Sequence, residues 1–183
     1  LLENLGVAQA TLVGHSQGVL VALETASRHP ERVAALTLIA GAMAIPVNDA
    51  LIEMSQSAPE KAFRMMTSWG HGPGAHKFDN TQPGHAFLGY GRRVMAQNNG
   101  AALHADLVAC NSYDGGKDAA ASVTQPSLCL LAGKDKMTPV KFGRKMAEQI
   151  SGAQCHVFER AGHFLPAEFP IEVNDAMAAF LSR

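Results

Sequence analysis

Charged residues are scarce in this sequence, and those present nearly cancel. They make up 17% of the 183 residues, with 15 lysines and arginines against 16 aspartates and glutamates, for a net charge of −1. Such a chain has no field that would attract nucleic acid or an anionic membrane surface, so neither is an expected partner. Long apolar runs are missing too. The strongest one, 33–47, has 15 residues and contains Gly41 and Pro46, whereas a membrane span needs about 20.

Cysteine is also scarce, which argues against a fold held together by disulfides. Cys110, Cys129 and Cys155 lie in apolar surroundings and lack CxxC or CxxH spacing, so we expect three buried, reduced thiols rather than a disulfide or metal site. Reduced thiols favour a cytoplasmic protein over a secreted one.

Apolar residues, by contrast, account for 47% of the sequence, enough for the core of one domain. The leucines among residues 1–5 predict the end of an amphipathic helix, closed by Gly6 as its C-cap. Buried strands are predicted at 10–13 and 33–40, with an amphipathic helix between them that ends before Pro30. Strand, helix and strand at this spacing form a βαβ unit, which places both strands in a parallel sheet covered on both faces.

The middle of the chain, 46–122, is predicted to be helical. Helical patterns occur around 49–57, 60–69, 86–97 and 101–110, together with a Gly/Pro/His-rich loop from His71 to His85. The strand–helix alternation then resumes, with predicted strands 127–132 and 154–158 and helices 139–150 and 171–181. Thr138 is the expected N-cap of the first of these helices and Pro139 its first residue. The predicted architecture is an α/β core formed by 1–45 and 123–183, with 46–122 as an inserted helical cap.

The motif Gly14-His15-Ser16-Gln17-Gly18 matches G-x-S-x-G and lies between a predicted strand and a predicted helix. In that context the motif predicts a nucleophile elbow, a turn so tight that small residues are expected two positions on either side of the serine. The elbow would project the Ser16 hydroxyl above the carboxyl end of the sheet. The alternative is that Ser16 is an ordinary helix N-cap.

An acid and a histidine follow the serine, each after a predicted strand. Asp135 comes directly after strand 127–132, and His163 lies between the last strand and the last helix. His163 would accept the Ser16 proton and return it to the leaving group, while Asp135 would orient the imidazole and stabilise its charged form. The alternatives are Asp49 as the acid, Asp135 as a plain loop carboxylate, and His163 as a packed loop histidine.

The order Ser, Asp, His resembles that of the α/β-hydrolase superfamily, specifically its small lid-bearing serine hydrolases of the esterase and perhydrolase type. A serine at position 16 speaks against the haloalkane dehalogenases and epoxide hydrolases of this fold, whose nucleophile is aspartate. The resemblance implies a mostly parallel sheet flanked by helices, catalysis without metal or organic cofactor, and the Gln17 backbone N–H as one oxyanion donor.

The resemblance also implies a region before the nucleophile strand that this sequence does not contain. The second oxyanion donor would come from a loop in that region, so the sequence corresponds to the family without its N-terminal third. We therefore expect strand 10–13 to be an unpaired apolar edge, and residues 1–183 alone to be poorly soluble or oligomeric with ester hydrolysis near background.

The expected activity is hydrolysis of a carboxylic ester or related acyl compound, with a small-molecule substrate that carries an apolar group. Lactone hydrolysis, C–C bond hydrolysis and perhydrolysis are alternatives that use the same three side chains, and a non-catalytic ligand-binding member of the fold is a further one. Methionines and aromatics in or beside the cap predict either cap-to-core packing or an adaptable apolar wall for the substrate: Met43, Met54, Met65, Met66, Met95, Phe63, Trp69 and Phe87.

The remaining histidines and two lysines near the acid carry weaker predictions. His15 is expected to pack beside the elbow, and Lys134 and Lys136 to face solvent. A metal site formed by His71, His76 and His85 is an alternative that we consider weak, because the three lie in a Gly/Pro-rich loop without a nearby cysteine. No motif includes the other three: His29, His104 and His156.

Overall fold

The computed structural model describes residues 1–78 and 86–182. Within these residues, four parallel strands form one sheet whose spatial order follows the chain order. Because all four strands run in the same direction, their carboxyl ends meet at one edge, where ligands of open α/β sheets bind. The strands are β1 (Ala10–His15), β2 (Val33–Ile39), β3 (Ser127–Ala132) and β4 (Gln154–Phe158).

Helices connect the strands and cover both faces of the sheet. The described residues contain α1 (Gln17–Arg28), α2 (Asp49–Ser57), α3 (Pro59–Gly70), α4 (Pro73–Phe78), α5 (Phe87–Met95), α6 (Gly100–Ser112), α7 (Gly116–Ser122), α8 (Val140–Gln149), α9 (Leu165–Glu168) and α10 (Pro170–Leu181). A short 3-10 turn, Pro30–Arg32, precedes β2. Within the described residues, no helix combines the length and apolarity that a bilayer crossing requires.

The core consists of two apolar layers, one on each face of the sheet. On one face α1, α7 and α8 pack against the strands, with Leu23, Leu36 and Met146 fully buried. On the other face α10 and α9 cover β3 through residues such as Leu130 and Leu165. Every residue of β3 is buried because both of its neighbours are strands and both of its faces are covered.

The chain between β2 and β3 forms a separate group of packed helices. Its helices α2, α3 and α6 share an apolar cluster around Leu51, Ala62 and Leu107, joined by methionines of the predicted set: Met54, Met65, Met66 and Met95. These four methionines therefore pack mainly within the middle segment, whereas the prediction was packing of the cap on the core. Helix α7 is not part of this group, although it lies within the predicted cap range of 46–122. It packs on α1, and its alanines belong to the core beside the sheet.

Several local predictions are confirmed and others are wrong. Gly6 does close a turn: it has φ +65°, and the Val7 N–H donates to the Leu2 carbonyl at 2.9 Å, as in a Schellman motif. The predicted helix end is wrong, because residues 2–6 form only a turn and Leu1 and Leu5 are exposed. The prediction of three buried thiols is wrong for Cys155, which is exposed. It lies on β4, which pairs only with β3 within the described residues, so this strand is less covered than its neighbour.

The start of α8 and the histidine-rich loop also differ from the predictions. Thr138 does not cap α8. Pro139 occupies the N-cap position and the helix begins at Val140. The Thr138 hydroxyl instead lies 2.7 Å from the Ala40 carbonyl oxygen, so a long-range partner replaces the local one. Part of the predicted loop after His71 forms the short helix α4. His85 lies outside the described residues.

Candidate active site

A single residue turns the chain from β1 into α1, and that residue is Ser16. Its backbone has φ 56° and ψ −120°, a conformation that a serine seldom adopts and that a tight strand-to-helix turn requires. Ser16 occupies the N-cap position of α1, but its side chain makes no capping hydrogen bond, unlike that of an ordinary N-cap serine. Its backbone N–H continues the sheet by donating to the Ile39 carbonyl at 3.0 Å.

The two glycines of the motif have different surroundings. A Cβ on Gly14 would lie 2.3 Å from the Gly18 carbonyl oxygen and 2.9 Å from the Val19 nitrogen, so the backbone itself requires glycine there. A Cβ on Gly18 would meet no described atom within 4 Å. The prediction that only a small residue fits is therefore confirmed at position 14. At position 18 no such contact explains the glycine.

Asp135 and His163 form a buried hydrogen-bonded pair at the carboxyl edge of the sheet. His163 Nδ1 donates to Asp135 Oδ2 at 2.8 Å, and their side chains are only 3% and 1% exposed. The backbone N–H groups of Met137 and Thr138 both donate to Asp135 Oδ1 at 2.8 Å. The Thr138 hydroxyl lies 2.7 Å from Oδ2. Both carboxylate oxygens are thus fixed in position, and Nε2 of His163 is left as the proton acceptor.

Opposing effects act on the acidity of Asp135. Burial alone would raise its pKa, but the hydrogen bond from His163, the charge of that ring and the Thr138 donors outweigh burial, so the pKa lies below its ordinary value. Asp135 therefore remains a carboxylate at neutral pH. The alternative acid, Asp49, is exposed in the first turn of α2, and the structure pairs His163 with Asp135 instead.

The residue before the serine contacts the loop of the histidine. His15 Nε2 donates to the His163 carbonyl oxygen at 2.7 Å, and the two rings are 4.9 Å apart. Burial, followed by the charge of His163, lowers the pKa of His15, which keeps this ring neutral. The predicted packing of His15 beside the elbow is confirmed. Its hydrogen bond to a residue 148 positions later has no signal in the sequence.

A cavity of about 260 Å³ opens beside Ser16, between the sheet edge and the helices of the middle segment. The Gln17 side chain reaches from the elbow to α6, where its Nε2 donates to the Asp106 backbone carbonyl at 3.2 Å. Lys136, which is exposed as predicted, also lines the cavity. Within the described residues no hydrogen bond joins the Ser16 hydroxyl to His163. The apolar lining includes Ile45, Leu51, Met66, Trp69 and Leu107.

The histidines considered as metal ligands have other partners. His71 Nδ1 donates to the Thr67 carbonyl, and His76 Nε2 to the Ser68 carbonyl, each at 2.8 Å. The part of the chain that the structure describes contains no group of three or more potential metal ligands.

The sequence profile of the alpha/beta hydrolase family matches residues 1–176, nearly the whole chain. The chain belongs to the α/β-hydrolase family. The expected fold, a parallel sheet flanked by helices, is thereby confirmed. In this family the strand–turn–helix around G-x-S-x-G presents the nucleophile, and an acid and a histidine follow it in that order. The elbow and the Asp135–His163 pair of this α/β hydrolase match that arrangement.

Three proteins illustrate the similarity. A 2-hydroxy-6-oxononadienedioate/2-hydroxy-6-oxononatrienedioate hydrolase from Pseudomonas sp is 21% identical over 200 residues, covering 100% of this chain and 66% of that protein. The crystal structure of the enol-lactonase from Burkholderia xenovorans LB400 has a TM-score of 0.90 at 19% identity, covering 100% of this chain and 69% of that one. The esterase EaEST from Exiguobacterium antarcticum has a TM-score of 0.87 at 19% identity, covering 100% and 70%. At these identities the structural matches establish the fold alone, and the α/β hydrolase spans about two thirds of the length of each of these proteins.

Proposed function

We propose that this α/β hydrolase is a serine hydrolase that cleaves a carboxylic ester or a related acyl compound through an acyl-enzyme. Ser16 is the nucleophile, His163 the general base and acid, and Asp135 the carboxylate that orients His163. The observation that carries the proposal is the buried 2.8 Å contact between His163 Nδ1 and Asp135 Oδ2, at the sheet edge where the strained Ser16 turn lies.

The proposed reaction has two halves. Ser16 Oγ attacks the acyl carbon while His163 Nε2 takes its proton, and the imidazolium that results is stabilised by the ionised Asp135. The same proton then goes to the leaving alcohol, which departs and leaves the acyl group on Ser16. Water, activated by His163, releases the acid and restores the serine.

The first turn of α1 supplies one electrostatic contribution. Gln17 begins the helix, and the N–H groups of a helical first turn have no partner within the helix. We propose that the Gln17 N–H donates to the oxyanion of the tetrahedral intermediate, aided by the positive end of the helix dipole. The family resemblance assigns a second donor to a loop after an earlier strand, and we propose no residue of this chain for it.

The lining of the cavity supports an acyl or alcohol group of mainly apolar character. Met66, Trp69 and Leu107 come from helices of the middle segment, which serves as the cap in this proposal. The cavity that the described residues form measures about 260 Å³, just below the usual range for ligand sites.

Three other chemistries use the same side chains: lactone hydrolysis, C–C bond hydrolysis and perhydrolysis. One structural neighbour is an enol-lactonase and another an esterase. A panel of short p-nitrophenyl esters, lactones, a diketone-like C–C substrate and an ester with hydrogen peroxide would rank these activities. A non-catalytic ligand-binding protein would turn over none of them. The cytoplasmic location inferred from the cysteines stays a prediction.

Labelling with a fluorophosphonate tests the proposal, because this probe reacts with a serine that a neighbouring base activates. We expect the intact gene product to be labelled at Ser16, and Ser16→Ala to abolish both labelling and ester hydrolysis. Ser55 is a control serine, since it is buried and donates to the Ile52 carbonyl at 2.6 Å. Ser55→Ala should be labelled like the parent. Labelling that persists in Ser16→Ala would overturn the assignment of the nucleophile.

A further inference from the structure

The loop that carries His163 is held at three consecutive residues, once by the nearby Glu168 and twice by groups distant in the sequence. Gly162 N–H donates to the carboxylate of Glu168, the His163 carbonyl accepts from His15, and Phe164 N–H donates to the Gly70 carbonyl at 3.2 Å. The residues on both sides of the histidine are thus held through their own backbone N–H groups, from α9 and from the end of α3.

Glu168 joins two separate segments through one carboxylate. Its Oε2 accepts from the Gly72 N–H at 2.9 Å and from the Gly162 N–H at 3.2 Å, while Oε1 lies 3.1 Å from the same Gly162 nitrogen. Gly72 lies in the turn between α3 and α4, and Gly162 directly precedes His163. The carboxylate therefore connects the helical middle segment to the loop that carries the histidine.

Close backbone contacts surround this carboxylate. A Cβ on Gly162 would lie 2.2 Å from the Gly72 nitrogen and 2.6 Å from the Gly70 carbonyl oxygen, so the two loops meet backbone to backbone. The Phe164 ring packs on the face of Gly70 and lies 4.7 Å from the His71 ring. With so little free space, a displacement of residues 70–72 must displace residues 162–164 as well.

We propose that Glu168 is a positioning residue for His163, because it fastens the histidine loop to the turn that follows α3. The proposal rests on the assignment of His163 as the general base. Glu168 lies one helical turn beyond that histidine and acts on it only through the backbone of Gly162. Its loss would leave Gly72 and Gly162 without their shared acceptor and free the loop to shift.

Glu168 could act on the loop through its negative charge or through its hydrogen bonds, and substitutions can distinguish the two effects. The charges of His71 and Asp135 act on this carboxylate. Glu168 also lines a second cavity, distinct from the one beside Ser16, whose wall includes Lys77, Lys134 and Arg160. Burial raises the pKa of Glu168 and the two N–H donors partly offset that effect. Because Oε2 contacts both N–H groups, the amide oxygen of a glutamine placed there could accept from both without a charge. The amide NH2 would then take the place of Oε1, 3.1 Å from the Gly162 nitrogen, so Glu168→Gln loses that one acceptor.

Two substitutions follow from this geometry. Glu168→Gln retains an acceptor at the same reach and removes the charge, whereas Glu168→Asp retains the charge and withdraws the oxygens by one methylene. A positioning role predicts that Glu168→Gln, which keeps one acceptor within reach of both N–H groups, loses less activity than Glu168→Asp. A role of the charge predicts the reverse order. Glu168→Ala should lose about 10²-fold in kcat, the loss expected for a displacement of about 1 Å, with KM changed less than threefold.

Tyr113→Phe is a matched control. The Tyr113 hydroxyl donates to Glu24 and so joins the end of α6 to α1, which is another polar contact of the middle segment, remote from the His163 loop. It should leave kcat and the labelling rate within about threefold of the parent. Thermal unfolding of all four variants identifies any that fail to fold. If Glu168→Ala does not fold, the comparison of Glu168→Gln with Glu168→Asp still tests the proposal.

The measurements are the second-order rate of fluorophosphonate labelling at Ser16, kcat and KM for a p-nitrophenyl ester, and backbone hydrogen exchange of segments 70–72 and 160–164. The proposal predicts slower labelling and faster exchange in both segments for Glu168→Ala and Glu168→Asp, a smaller change for Glu168→Gln, and no change for Tyr113→Phe. A folded Glu168→Ala that labels at the parent rate would overturn it, as would Glu168→Gln losing more than Glu168→Asp. If the parent itself is not labelled, the proposed serine chemistry fails. Hydrogen exchange then still decides whether Glu168 holds the two segments together.

Discussion

Replacing Gly14 with alanine tests the elbow at its tightest point. The added Cβ would lie 2.3 Å from the Gly18 carbonyl oxygen, 2.6 Å from the Gly18 carbonyl carbon and 2.9 Å from the Val19 nitrogen. All three are backbone atoms, so no side-chain rotation relieves the contacts. Since ordinary contact begins near 3.4 Å, the first turn of α1 must move by about 1 Å, the displacement that costs about 10²-fold in a positioned reaction.

This displacement changes the positions of Ser16 and the Gln17 N–H relative to His163. We therefore expect Gly14→Ala to slow fluorophosphonate labelling of Ser16 by about 10²-fold. It should also lower the free energy of unfolding by about 1–3 kcal/mol, the usual cost of overpacking. Gly74→Ala is the control, because its Cβ would meet nothing within 4 Å and α4 gains a better helix former. A Gly14→Ala protein with parent labelling rate and parent Tm would refute the elbow geometry.

Three other predictions follow from the site and the core. Asp135→Asn should lower kcat by about 10⁴-fold, whereas Asp49→Asn should change it less than tenfold; the reverse pattern in ester kinetics would make Asp49 the acid. Because the pKa of Asp135 is lowered in the folded protein, its contribution to stability is present above the ordinary value of 3.8 and is lost as pH falls further. Unfolding followed from about pH 6 to pH 3 should thus be less acid-sensitive in Asp135→Asn than in the parent, and equal slopes would contradict this. A thiol reagent should modify the exposed Cys155 in the native protein but not the buried Cys110 or Cys129. Burial hides the Cys129 thiol and raises its pKa to about 12. Peptide mapping that finds Cys129 modified first would contradict the core packing.

The sequence contained strong signals for the elements that present the site. Strong apolar runs predicted β2 and β3 to within one residue, and G-x-S-x-G between a strand and a helix predicted the turn at Ser16. Asp135 and His163 were predicted because each follows a strand, and parallel strands bring such positions to one edge. These predictions worked because periodicity and strand ends are local properties.

The remaining features depend on contacts between distant residues. Thr138 has the local preference of an N-cap, but its hydroxyl contacts the nearby Asp135 carboxylate and the Ala40 carbonyl instead. Only the folded chain brings the Ala40 carbonyl, 98 positions away, to this hydroxyl. The Gly72–Glu168 hydrogen bond joins residues 96 positions apart, so no window of the sequence could predict it. Cys155 was misjudged because an apolar strand sequence does not indicate which strand is covered less than its neighbours.

The central claim is that Ser16 forms an acyl-enzyme with the help of the Asp135–His163 pair. Rapid mixing of the intact gene product with p-nitrophenyl acetate, followed by acid quenching and peptide mass mapping, tests it most directly. The account predicts a burst of p-nitrophenol and an acetyl group on the peptide that contains Ser16, both absent from Ser16→Ala and strongly slowed in Asp135→Asn. Turnover of the ester with no acyl group on that peptide, or an acyl group on a different residue, would contradict the account.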